Sequence, residues 1–155
     1  MPRSSGFVPQ VNADWNATSG VAQILNKPTI NSARIFSTPT FASATTATQL
    51  SATRDADVSY EFDVAFAITV LGTQTATATL TQADNSAMTT NPVVIDSQTA
   101  TTGGVVGLTS TQTLKLQATV PAGKYRKVTF ATSATGLVAA PAAPSALRAG
   151  QEVIQ

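Results

Sequence analysis

From Val58 to Val70 the hydrophobic and polar positions alternate without a break. Val58, Tyr60, Phe62, Val64, Phe66, Ile68 and Val70 share one parity, and Ser59, Glu61, Asp63, Ala65, Ala67 and Thr69 share the other. Successive side chains of a β-strand point to opposite faces, so the pattern predicts a strand with one buried face and one smaller, more polar face. A helix would scatter the same aromatic residues around its cylinder. At about 3.3 Å per residue the strand would span roughly 40 Å, long for a globular domain.

The same reasoning carried along the chain predicts further strands. Gly72-Thr73 reads as a turn. Thr75 to Thr81 then alternates again, with Ala76, Ala78 and Leu80 on one side, and the two runs read as a hairpin. Ala83 to Asn91 has the chemistry of a loop, and Pro92 precedes a short strand, Val93 to Ile95. Gly103-Gly104 breaks the chain before Val105 to Leu108, and Leu114, Leu116, Ala118 and Val120 alternate once more. Pro121-Ala122-Gly123 reads as a tight turn with Lys124 to Thr132 as the partner strand. Ala33 to Phe36 and Ala47 to Ser51 suit edge strands, Leu137 to Leu147 is too proline-broken for a central strand, and Gly150 to Gln155 could close a sheet. Short strands separated by turn signals predict an all-β fold, an antiparallel β-sandwich or jelly roll.

The first 32 residues follow neither period. Trp15, Val21, Ile24, Leu25 and Ile30 are apolar but punctuated by Asn, Gly and Pro, with at most a helical turn or two over Ser19 to Leu25. Such a segment cannot build its own core. The expected organisation is an extended N-terminal arm, 1–32, followed by a sandwich domain, 33–155, with the arm packing on the sandwich, on copies of itself or on another protein.

Composition agrees with strands and narrows the function. Charged residues make up only 11% of the chain, against roughly a quarter in average soluble proteins. Thr, Val, Ala and Ser dominate, a poor mixture for surface helices and a good one for pleated surfaces. The net charge of +1 supplies no field for collecting phosphates, so no nucleic-acid partner is expected. No run of eighteen apolar residues occurs and the N-terminus lacks a signal-peptide core, so no membrane insertion is expected.

The chain has no cysteine and no histidine, which removes disulfides, thiol chemistry, imidazole metal sites and the usual nucleophilic triads. A carboxylate pair remains as the one hydrolytic route. Glu61 and Asp63 would share the polar face of the long strand, where solvated or inter-subunit polar groups are the ordinary reading and a small polysaccharide hydrolase the sharper one. Asp55 and Asp57 beside Arg54 suit an ion pair or a turn cap. Asp84-Asn85-Ser86 resembles part of an oxygen-rich cation loop but lacks the further ligands, which leaves turn chemistry. Gly103 to Gly107 carries no Lys-Ser/Thr ending and is not a phosphate loop. Lys124, Arg126 and Lys127 around Tyr125 form the basic cluster, read either as a solvated strand edge or as a contact for an anionic sugar. No enzyme activity, cofactor or metal is expected.

Two stretches resemble a known family. Asp14-Trp15-Asn16-Ala17-Thr18-Ser19-Gly20-Val21-Ala22-Gln23-Ile24-Leu25-Asn26-Lys27-Pro28 is similar to a segment that recurs in bacteriophage fibre and fibre-like virion proteins. Arg34 to Thr40, Thr53 to Tyr60, Ala83 to Ser86, Val120 to Tyr125 and Ser145 to Val153 resemble the C-terminal tip domain of phage tail fibres, with its T-R-D-A-x-V-S-Y and P-A-G-x-Y elements. The resemblance implies a jelly-roll-like tip assembled as a homotrimer, located in the virion after assembly in the host cytoplasm. The arm residues Trp15, Val21, Ile24, Leu25 and Pro28 would hold the trimer or another virion protein of the capsid, collar or tail. Asp84, Asn85, Ser86, Lys124, Tyr125 and Arg126 are the candidate contacts to a bacterial surface glycan or protein. An arm this short, if Met1 is the natural start, suits a compact whole fibre. The alternative is a capsid-mounted head fibre or decoration protein with a mainly structural role.

Overall fold

The computed structural model describes the backbone of Ile35–Ser37 and residues 47–104 and 106–155. The expected arm residues Trp15, Val21, Ile24, Leu25 and Pro28, and the helical turn over Ser19 to Leu25, lie outside them. The described residues contain eight strands: β1 Ile35–Ser37, β2 Thr48–Gln49, β3 Ala56–Ile68, β4 Gly72–Ala83, β5 Val93–Gly103, β6 Leu108–Val120, β7 Tyr125–Gly136 and β8 Ala149–Ile154. They form two four-stranded sheets, ordered β1-β8-β3-β6 and β2-β7-β4-β5, with every neighbouring pair antiparallel.

The alternation read from the sequence is the burial pattern of the structure. Ala56, Val58, Tyr60, Phe62, Val64, Phe66 and Ile68 of β3 are buried, as are Ala76, Ala78 and Leu80 of β4. One apolar cluster joins the two sheets, with Leu114 and Leu116 of β6 and Val128 of β7 contributing. The Phe62 and Phe130 rings meet edge-on at 4.9 Å and 81° across it, the orientation the aromatic quadrupole favours. Bulky β3 side chains against small alanines of β4 let the inner faces interdigitate, as sandwich cores require.

Strand pairing departs from the expected hairpins. β3 pairs with β6 and β8, not with β4, and β7 pairs with β4 and β2, not with β6. The turns after Ile68 and after Val120 therefore carry the chain from one sheet to the other. Among β4 to β7, only β4 and β5, joined through 84–92, form a hairpin. Strand ends also differ. β3 stops at Ile68, leaving Val70 outside it and 38% exposed, and Gly72 is the first residue of β4 rather than a turn. A Cβ on Gly72 would collide with the Thr135 carbonyl oxygen and the Val138 side chain, so close pairing with β7 requires glycine there. The short strand expected at Val93 to Ile95 is the start of an eleven-residue strand. The last strand, β8, lies between β1 and β3 rather than at a sheet edge.

A register shift falls between Leu80 and Thr81, which face Asp96 and Val94 respectively, so Ile95 is the extra residue of a bulge in β5. Beyond it, the Asp96 carboxylate accepts the backbone N–H of Gln117 at 2.7 Å. Since β5 and β6 are both edge strands, Asp96 closes part of the open side of the sandwich by capping an edge amide.

Candidate functional site

The sandwich has two distinct poles, and the candidate residues gather at the first. Here β1 begins and β8 ends, with Ile35 opposite Ile154 and Ile154 opposite Ala56. The loops 50–55, 84–92 and 121–124 complete it. Asn85 organises the second of these: its side-chain oxygen accepts the N–H groups of Thr89 and Thr90 at 2.9 and 3.0 Å, and its amide donates to Thr89 Oγ1 at 2.9 Å. Met88 and Asn91 take φ values of 58° and 47°, the left-handed conformation needed to reverse the chain in a tight loop. Gly123, φ 75°, turns the third loop and donates its N–H to Ser51 O at 2.6 Å. The Asp55 carboxylate accepts the Ala122 N–H at 2.9 Å.

Asp84 and Lys124, far apart in sequence, meet in an ion pair that joins two of these loops. Asn91 donates to the other Asp84 oxygen at 2.7 Å. The hydrogen bond from Lys124, then that from Asn91, holds the Asp84 carboxyl below its usual pKa. Both Asp84 oxygens and the Asn85 side chain are thus engaged inside the pole, which is turn chemistry rather than a cation loop. Ser86 is exposed and Tyr125 partly buried.

Arg126 departs from the expected surface cluster. It is 4% exposed, facing inward with Val128, and its guanidinium donates to Glu152, itself 5% exposed, and to the Tyr60 hydroxyl. Tyr60 donates in turn to Glu152 Oε1 at 2.6 Å, and Arg126 Nη1 reaches Thr48 O at 3.1 Å. Burial, above all, pushes the Tyr60 phenol far above its ordinary pKa; Arg126 opposes this and the bond to Glu152 reinforces it. The triad ties β3 and β8 of one sheet to β7 and β2 of the other. The parity of Arg126 with Val128 and Phe130 was the sequence signal for it.

Glu61 and Asp63 lie on the outer face of β3, as their parity requires. Arg148 binds both, at 3.1 and 3.4 Å, and Lys115 lies 3.7 Å from Glu61. Both carboxylates are thus tied to one guanidinium on an open surface. The neighbouring shallow depression, lined in part by Asp57, Ser59, Gln117 and Thr119, is filled with cross-strand pairs: Thr119 donates to Asp57 at 2.6 Å and Gln117 to Ser59 at 3.4 Å.

The second pole differs in chemistry. Loop 69–71, Gly104, Val106, Gly107 and the chain after Gly136 converge there, held by Gly107 N–H to Ile68 O at 2.6 Å, Gly104 N–H to Gly72 O at 3.3 Å and Leu137 N–H to Leu71 O at 3.1 Å. Val70, Leu71, Val106, Leu108 and Leu137 are exposed around it, Leu137 at 85%. No ionisable residue occurs in 64–83, 97–114 or 128–147, the segments that run to and from this pole. Those gaps in the charge pattern were legible in the sequence, but only the fold collects them at one end.

Comparison with known proteins finds no protein-family model that matches this chain and no curated protein that matches it.

Proposed function

We propose that this chain is a bacteriophage virion structural protein: a short homotrimeric fibre anchored by its N-terminal arm and presenting the β-sandwich for host-surface attachment. The observation that carries this reading is the strand order. β1-β8-β3-β6 facing β2-β7-β4-β5, with the chain crossing repeatedly between sheets, is the winding of an eight-stranded jelly roll, an architecture found in viral capsid and lectin domains. Fold alone is an analogy, and the fibre-like stretches Asp14 to Pro28 and Thr53 to Tyr60 make it specific. In this reading attachment needs no catalytic residue or cofactor.

A second reading is favoured by the first pole. Asp84, Asn85, Lys124 and Arg126 are used to brace the fold, which suits a capsid-mounted head fibre or decoration protein with a mainly structural role. Antibody labelling of intact particles tests both readings: label on the head or the tail is expected, and unlabelled particles would overturn them. Adsorption blocked by the purified protein separates the first reading from the second.

A further inference from the structure

The two outer faces of the sandwich have opposite characters. The outer face of β3 and β6 is a charged ladder in which Asp57, Glu61 and Asp63 stand opposite Thr119, Lys115 and Thr113. The outer face of β4, β5 and β7 is a hydroxyl array. Thr75, Thr77 and Thr79 of β4 stand opposite Thr101, Thr99 and Ser97 of β5 on one side and Ser133, Ala131 and Thr129 of β7 on the other. The first charge met along it is Lys127, opposite Thr81 at one corner.

We propose that this hydroxyl face is the surface on which a second copy of the chain docks, an inference that rests on the homotrimer of the proposed function. Three features of the face favour a copy over water. The hydroxyls of β4 and β5 are already paired across the strands, Thr75 with Thr101 at 3.2 Å, Thr77 with Thr99 at 2.9 Å and Thr79 with Ser97 at 3.4 Å. Dehydrating them therefore forfeits fewer hydrogen bonds to solvent than unpaired hydroxyls would lose. The face is framed by exposed apolar side chains: Val94, opposite Thr81 and 58% exposed, at one end, and Leu71, 68% exposed, with Leu137 at the other. Its size also fits. Three strands about 4.8 Å apart and roughly 40 Å long give on the order of 600 Å² in projection, more once corrugated, against about 800 Å² per partner in a standard interface.

Charge supplies the remaining argument. A face without charge can be covered by another copy without stripping water from ions, whereas the ladder of β3 and β6 carries Asp57, Glu61, Asp63 and Lys115. A ring of three sets one patch of each copy against a different patch of the next, and the hydroxyl face is one of that pair.

The test is sedimentation velocity on the full chain and on three variants. Thr77→Lys and Thr99→Asp each place a charge at the centre of the hydroxyl face, in different strands, and Thr111→Lys places one on the opposite face. Circular dichroism confirms that each variant keeps its β signal; should one misfold, the other carries the test. The expected result is an assembled wild type and Thr111→Lys, with Thr77→Lys and Thr99→Asp reduced to single chains and at least a tenfold weaker association. A monomeric wild type would overturn the homotrimer and this inference together. An assembled wild type whose Thr77→Lys and Thr99→Asp variants stay assembled would overturn the face alone and leave the homotrimer standing.

Discussion

Replacing Glu152 by Gln changes one buried oxygen for an amide and leaves the shape of the side chain intact. In the folded protein the Glu152 carboxylate balances the Arg126 guanidinium and accepts the Tyr60 hydroxyl at 2.6 Å, with both charged side chains at least nine-tenths buried. The substitution would leave the guanidinium inside the sandwich without the carboxylate that balances it. Breaking a buried ion pair in this way costs about 3–5 kcal/mol, although exchanging the whole pair for apolar residues of similar volume is often neutral or stabilising. Against a total of roughly 5–15 kcal/mol for a domain, Glu152→Gln should remove about a fifth or more of the stability. At about 2–4 °C per kcal/mol it should lower Tm by on the order of 10 °C. Urea unfolding at one fixed protein concentration measures this, because assembly would make the midpoint concentration-dependent. Glu152→Gln is expected to lower the unfolding free energy by that amount, and the triple change Tyr60→Phe, Arg126→Met, Glu152→Leu, which leaves no buried polar group of the triad behind, to recover most of it. A single variant within about 0.5 kcal/mol of wild type, with an unchanged denaturant slope, would refute the claim that the triad joins the sheets.

Tyr60 gives the alkaline limb of stability. Its pKa is raised on folding, so the folded state keeps a proton that the unfolded chain loses. Stability from this group is complete below about pH 10 and falls above it by about 1.4 kcal/mol per pH unit; Tyr60→Phe should remove that slope in urea midpoints measured at rising pH. Asp84 gives the opposite limb. Its pKa is lowered from 3.8 on folding, so its contribution is present above about pH 4 and lost as pH falls through the folded value. Asp84→Asn should flatten that part of the acid titration. Asp96→Ala uncaps the Gln117 amide at the edge of β6 and should cost about 1–3 kcal/mol, with faster aggregation by light scattering as the exposed edge becomes available.

Side-chain periodicity was enough to determine which residues of β3, β4 and β6 face the core. The strict alternation through β3 and the shorter ones in β4 and β6 became the buried faces, because a pleated strand half-covered by another sheet admits only one parity inside. Tertiary structure decided what each strand pairs with. Gly72 lies one residue past the reversal at 69–71, and Pro121-Ala122-Gly123 lies on the other, but a reversal within a sheet and one across a sandwich carry similar turn signals. The outcome depends on which faces can cover one another. The large β3 residues Tyr60, Phe62 and Phe66 find their complement in the small Ala76 and Ala78 of the facing sheet, not in a hairpin partner beside them. The same limit explains Arg126. Its parity already placed it inside, yet a buried cation is tolerated only where a distant anion meets it. Glu152, brought there by the last strand, is supplied by the fold and cannot be read from any local window of the chain.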